Sequence, residues 1–369
     1  MFGTYRKEDV IILLKDITGL VQPQNTEERE RLIQAGRHYS EMLPIEYEPS
    51  EKYMKAYYEA LARFAKITAE AVAGVCDKIY SSKGDNITLV SLARAGTSIG
   101  VLIKRYLEKF YGLKPCHYTI SIIRGKGIDK NAVNYILSRH KRESIQFVDG
   151  WIGKGAIQRE LTSAMKDYPG VNDKLAVLSD PAYITDIYGT REDFLIASSC
   201  LNSTVSGLLS RTFYRKDIIG ENDFHGAAFY SELASKDLTY QFIDAIEKEF
   251  LSSPLPPSKR GAYGNAPLLC GAVGAVNGEV SANNTGMEEV LKIAADFGIA
   301  DINLIKPGLG EATRVLLRRL PRKLLVHSLN DEERLGHLYE LAAEKGVEVE
   351  KYPLKNYLAC GLIQSLADN

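Results

Sequence analysis

The chain of 369 residues contains no apolar run long enough to cross a membrane. Its first residues, Met-Phe-Gly-Thr-Tyr-Arg-Lys-Glu-Asp, lack the apolar core of a secretory signal, so export is not expected. Five cysteines (Cys76, Cys116, Cys200, Cys270, Cys360) are scattered and form no C-x-x-C pair, which argues against a disulfide framework and fits a reducing cytoplasm. The six histidines show no metal-ligand spacing with them, so no metal held by side chains is expected. A formal net charge of −1 excludes a global pull toward nucleic acid, and any such site must be a local patch. Neither a Walker A loop nor a G-x-G-x-x-G turn is present, and no internal repeat is evident.

What is present is ordinary globular material, with 45% apolar residues and a length that suits two domains. Residues 1–50 read as a leader of short elements. Tyr53 to Tyr80 reads as one amphipathic helix, with Tyr57, Leu61, Phe64, Ile67, Ala71 and Val75 on one stripe. Strands are expected at Ile87–Leu92, His117–Ile123, Ile145–Val148 and Lys174–Leu178, with helices between them, one capped by Asp129. This alternation implies α/β architecture with a parallel sheet. Residues 252–267 are rich in Pro, Ser and Gly and read as a linker. They end a first domain over 1–255. The second, over 268–369, repeats the alternation: helix 287–297, strand 301–305, helix 311–320, strand 323–327, helix 332–345 and strand 347–351.

Two strand ends carry the chemistry. Ile145 to Ile157 reads Ile-Gln-Phe-Val-Asp-Gly-Trp-Ile-Gly-Lys-Gly-Ala-Ile: a strand, an acid, a glycine-punctuated loop, then a helix start. Gly150, Gly153 and Gly155 let backbone N–H groups approach a phosphate, and Lys154 and the helix N-terminus add positive charge. Asp149 stands where a sugar hydroxyl could be gripped. A plain glycine-rich turn remains the bland alternative. The second segment, Ile87 to Gly100, again runs strand, small-residue turn, helix, with Arg94 followed by Ala95, Gly96, Thr97 and Ser98. Ligands of open α/β sheets bind at the carboxyl ends of strands, so two such turns argue for a ligand with two phosphate groups.

These segments resemble the phosphoribosyltransferase-like superfamily. Val148 to Ala156 matches the stretch that grips ribose 5-phosphate, and Ala93 to Thr97 the turn that binds pyrophosphate. Two departures are plain: Gly150 stands where a second acid is usual, and Ala156 where Thr is usual. Asp186-Ile-Tyr-Gly-Thr-Arg-Glu-Asp-Phe-Leu-Ile and Leu201-Asn-Ser-Thr-Val-Ser-Gly-Leu-Leu-Ser-Arg-Thr are similar to the StiP family over nearly the whole chain. The resemblance implies a phosphoribosyltransferase-like domain, occurrence in tellurite-resistance and stress systems, a cysteine protease label, and a Pelota-like second domain.

In the second domain, Arg314, Arg318, Arg319, Arg322 and Lys323 place five cations in ten residues with no acid among them. Helical spacing of Arg314, Arg318 and Arg322 would favour one face, suited to phosphates or simply to solvent. Lys306-Pro-Gly-Leu-Gly-Glu-Ala-Thr-Arg resembles the RNA-binding turn of the L7Ae and Pelota-like fold. That likeness implies structured RNA as partner, contacted through Lys306, Gly308, Gly310, Glu311, Thr313, Arg314 and Arg318.

Two mechanisms are open. In one, the first domain handles phosphoribosyl diphosphate or a nucleotide-like molecule. Asp149, Arg94 and Lys154 are then catalytic, the phosphates lie on Ala95, Gly96, Thr97, Gly150, Gly153, Gly155 and Ala156, and Mg²⁺ enters with the pyrophosphate. In the other, Cys200, after an apolar strand Phe194–Ala197, is a nucleophile with His225 as base; a buried packing cysteine is the bland alternative. A non-catalytic nucleotide sensor that controls RNA binding is a third possibility. The polar cluster from Asn202 to Thr212 is either a lid or third ligand-binding segment, or a helix start with Ser/Thr caps. Arg124-Gly-Lys-Gly is either a loop over the phosphates or a surface turn. The oligomeric state is open.

Overall fold

A computed structural model describes residues 2–251 and 284–364. The expected linker at 252–267 lies outside them. Six strands form an all-parallel sheet: β1 (Ile11–Ile12), β2 (Thr88–Leu92), β3 (Cys116–Ile120), β4 (Ile145–Trp151), β5 (Ala176–Ser179) and β6 (Tyr188–Thr190). Their order is β1-β3-β2-β4-β5-β6. Parallel strands need crossover helices on the sheet faces, and nearly every strand residue of β2 to β5 is accordingly buried. The order reverses between β2 and β4, so the carboxyl ends of these two strands flank the crevice where such sheets bind ligands.

Around the sheet lie α1 (Thr26–Gln34), α2 (Glu51–Lys83), α3 (Ala95–Tyr106), α4 (Lys130–Leu137), α5 (Ala156–Met165) and α6 (Thr239–Lys248). The 33-residue α2 buries Tyr57, Leu61, Phe64, Ala71 and Val75 of the expected stripe; Ile67 is half-buried. Asp129 caps α4 by accepting the Ala132 N–H at 3.0 Å, as its position predicts. The strand expected at Phe194–Ala197 does not form. That apolar run instead ends in a short 3-10 turn, Ala197–Cys200, pressed between α2 and the second domain.

The second domain contains α7 (Thr285–Asp296), β7 (Ile305–Pro307), α8 (Leu309–Arg318), β8 (Pro321–Val326), α9 (Glu332–Lys345), β9 (Val349–Lys351) and β10 (Ala359–Ile363). Its smaller mixed sheet has the order β7-β10-β8-β9. The central strand β10 has no counterpart among the expected elements, because Ala-Cys-Gly carries little strand propensity. Helix α8 stops at Arg318, and Arg322 belongs to β8. The expected three-arginine stripe on one helix is therefore not formed.

The two domains share one core. Leu309, Ala312 and Leu316 of α8 lie in the same apolar cluster as Tyr57, Ile196 and Cys200. Burying a leucine contributes roughly 1.5–3 kcal/mol, so this apolar face of α8 helps to hold the two domains together. Tyr357 seals the seam by donating to Gly153 O at 2.6 Å.

Candidate functional site

Residues from both domains line a single cavity of about 320 Å³, within the range of small-molecule sites. The first domain supplies Ala95, Arg124, Asp149, Trp151 and the turn Gly153-Lys154-Gly155-Ala156; the second supplies Lys306, Pro307, Glu311 and Arg314. Tyr39, from the leader, closes one side. The cavity thus stands at the switch point of the sheet, roofed by the turn that leads into α8.

Strand β4 runs further than its apolar pattern predicts and carries Asp149 and Trp151 to the cavity. Gly155 precedes α5 in the left-handed region, φ +75°, where a side chain would also strike Ile184. The first-turn N–H groups of α5 lack intrahelical partners and face this end. Gly96 lies so close to β4 that a Cβ there would come 2.6 Å from Val148 O. This close approach draws the two strand-end turns together.

The side chains divide by charge. Among the described residues, Asp149 is hydrogen-bonded only by the Gly150 N–H, at 2.8 Å. Burial pushes its carboxyl up to about 6, with Glu311 adding to the rise and Gly150 and Arg314 opposing it. Burial would also raise Glu311, but Arg314 at 3.3 Å and Lys306 more than offset this and hold it below the usual range. Burial, then Lys306 and Arg124, lowers Lys154 to about 8. Arg314 also lies over the Trp151 ring at 4.8 Å and donates to Ser199 O. Arg124 donates to Asn303 Oδ1 at 2.9 Å. Four cations thus surround two carboxylates. Among the described residues no three of His, Cys, Asp or Glu converge on a metal site; the Mg²⁺ expected to enter with the pyrophosphate calls for no such set.

Not every expected residue arrives. Arg94 turns away from the cavity and donates to Leu209 O and Asn202 Oδ1, at 3.0 and 2.8 Å. Thr97 is buried and pairs with Thr119 at 2.8 Å, so it offers no donor to the cavity. Gly96 and Gly150 serve packing, the latter against Ile99 and Ile196. Lys154 reaches the cavity, but its ammonium also donates to the Ile302 and Ile305 carbonyls, which fastens the second domain.

The residues assigned to RNA are divided among the interdomain seam, the second domain's own core and the cavity. Gly308 and Gly310 are buried, the latter against Ser199 and Trp151. Thr313 is buried and bonds Leu309 O and His337. Arg318 donates to Asn202 Oδ1 and Cys200 O, at 2.6 and 2.8 Å. Lys306, Glu311 and Arg314 face the cavity. At the polar cluster Asn202 precedes a short 3-10 turn, Ser203–Val205, without capping it by its side chain, and serves as the acceptor shared by Arg94 and Arg318.

Cys200 and His225 lie in separate environments. Cys200 is fully buried with its thiol toward Ala56 O, and burial pushes that thiol up to about 12 despite Arg318 and Arg314. His225 bonds Ser121 at 2.9 Å and packs on Tyr214; burial lowers its pKa. The nucleophile–base contact expected from the sequence is not formed.

Residues 3–247 match the family described as tellurite-like stress resistance cysteine protease StiP, and residues 284–365 match the PELOTA RNA binding domain. The chain belongs to the StiP family. A protein named cysteine protease StiP from Acinetobacter baylyi (strain ATCC 33305 / BD413 / ADP1) is 35% identical over 378 residues, covering 99% of this chain and 94% of its own. The boundary between the two matches falls in residues 248–283, close to where the StiP-family chain changes sheet. No helix among the described residues is long and apolar enough to cross a membrane.

Sequence reasoning missed Tyr39 and Trp151 as parts of the site. Trp151 had a usable signal, standing inside the glycine-punctuated loop. Tyr39 had none, since only the fold brings it near.

Proposed function

We propose that this StiP-family protein binds a phosphorylated ribose in the interdomain cavity and transfers or cleaves its phosphoribosyl group, with phosphoribosyl diphosphate or a nucleotide as the substrate class. One observation carries the reading: Asp149 and the Gly153–Ala156 turn converge with Lys306 and Arg314 around one cavity at the switch point. A ligand phosphate would lie on the α5 N-terminus between Lys154, Lys306 and Arg124. In the reaction, the bond between the anomeric carbon and its leaving group breaks, the electron pair leaves with that group, and the acceptor or water bonds the same carbon. The cations stabilise the departing charge, and Asp149 faces the electron-poor sugar. Calorimetry of the full chain with ribose 5-phosphate and phosphoribosyl diphosphate tests the binding. Pyrophosphate release across a panel of bases tests the chemistry. No binding of either sugar phosphate would sink the proposal.

The description of the family and the name of the Acinetobacter relative favour a second reading, a cysteine protease. With Cys200 as nucleophile it requires the seam between α2, α8 and the Ala197–Cys200 turn to open and a base other than the distant His225 to approach. Casein hydrolysis that disappears in Cys200→Ser and after thiol alkylation would establish it. RNA binding is a further part of the proposal, through the Pelota-like domain.

A further inference from the structure

We infer that Glu311 is a ligand-binding residue of the cavity, acting with Asp149 to receive the hydroxyl groups of the sugar, so that the second domain selects a sugar phosphate with free vicinal hydroxyls. This rests on the sugar-phosphate reading above.

The argument begins with position. Asp149 lies near the carboxyl end of β4 in the first domain, Glu311 lies in the first turn of α8 in the second, and both line the same cavity. Glu311 reaches over the glycine turn: its Cγ would stand 4.0 Å from a Cβ built on Gly153, an ordinary van der Waals contact.

The next point is spare capacity. A carboxylate offers about four lone-pair sites. Asp149 uses one, on Gly150, and Glu311 one, on Arg314. The remaining acceptors face a cavity already lined with cations. A phosphate cannot bind acceptors, so it belongs with Lys154, Lys306 and Arg124, and the acceptors require donors from the rest of the ligand. Neutral donors in number, next to a phosphate, describe a hydroxylated sugar.

The last point is rigidity. The start of α8 is held by Asp193, which accepts the Leu309 N–H, and by Gly308 N–H on Ala359 O at 2.8 Å. Arg314 further fixes the Glu311 carboxylate. Such a held group meets a ligand without ordering cost.

The test is calorimetry of the full chain with ribose 5-phosphate, 2-deoxyribose 5-phosphate and inorganic phosphate. The wild type should favour ribose 5-phosphate over the deoxy sugar by about tenfold, the size expected for a hydrogen bond to a charged group. Glu311→Gln should abolish that preference without weakening phosphate binding, with the melting temperature held. Glu311→Asp, which keeps the charge beside Arg314 but withdraws it by one methylene, should also lose the preference and serves if the Gln variant fails to fold. A preference retained in a folded variant, or an equal loss on all three ligands, overturns the inference. So does a wild type that binds both sugars equally, which leaves the sugar-phosphate reading intact. A wild type that binds neither sugar phosphate overturns that reading as well.

Discussion

Asp193 and Leu309 stand 116 residues apart, yet both carboxylate oxygens of Asp193 accept the Leu309 N–H, at 2.9 and 3.1 Å. The same carboxylate accepts the Leu358 N–H at 2.9 Å. An acid of the first domain thus caps the helix that roofs the cavity and satisfies a backbone donor left open at its start.

That cap carries a pH signature. Burial raises Asp193 to about 6, against the N–H groups of Leu309, Leu358 and Ala359, which lower it. The folded pKa exceeds the unfolded one, so the contribution to stability is full below about pH 4 and is lost as pH rises through 6. Asp193→Asn removes this titration. From pH 4.5 to 7.5 the stability of wild type relative to the variant should fall by up to roughly 3 kcal/mol. Urea denaturation at intervals across that window measures it, and parallel curves would refute the assignment.

Lys154 should report ligand binding through protons. Its pKa sits near 8 because of burial and then the neighbouring Lys306 and Arg124. A bound phosphate favours the charged form and raises that pKa, so binding at pH 8 should take up protons. Calorimetry in two buffers of different ionisation enthalpy measures the uptake. In Lys154→Met the uptake should vanish. Stability should also drop by roughly 1.5–3 kcal/mol, because the Ile302 and Ile305 carbonyls lose a charged donor.

Thiol labelling separates the two catalytic readings. Cys116 is exposed, whereas Cys76, Cys200 and Cys360 are buried. Iodoacetamide at neutral pH should modify Cys116 of the native protein at least tenfold faster than these three, since the thiolate is the nucleophile and burial suppresses it. Peptide mass spectrometry over a time course gives the rates. Faster modification of Cys200 would move the balance to the protease.

RNA that uses the 306–314 turn has to displace the first domain from it. Asp193→Lys, which breaks the cap and places a cation at the helix start, should therefore tighten binding of a fluorescent structured RNA by about tenfold, by releasing a withheld face. Unchanged affinity would place RNA elsewhere. Arg322, exposed on β8, is one cation already free for it; losing one phosphate contact there should flatten the log–log salt slope by roughly 0.7–0.9.

Local physics made much of the chain legible. The period of α2, the cap at Asp129 and the strand–loop–helix pattern around Asp149 all follow from spacing and residue type, which act over a few residues. The pattern could not show that β4 extends to Trp151, because polar and glycine residues there carry little strand propensity and are held by pairing with β5. Nor could it separate donors that face the cavity, such as Lys154, from donors consumed elsewhere, such as Arg94 and Thr97. The run of five cations from Arg314 to Lys323 read as a solvent or RNA face; Arg314 and Arg318 instead dock on carbonyl and amide groups of the first domain, Lys323 pairs with Glu348 and Glu350, and Arg322 is exposed on β8. Cys200 and His225 likewise looked eligible in sequence and were separated by packing. Sequence alone determined which segments could bind an anion. Tertiary structure alone decided that two such segments, from different domains, close on one cavity, because burial of α8 against α2 and the Asp193 cap act between residues that share no local pattern.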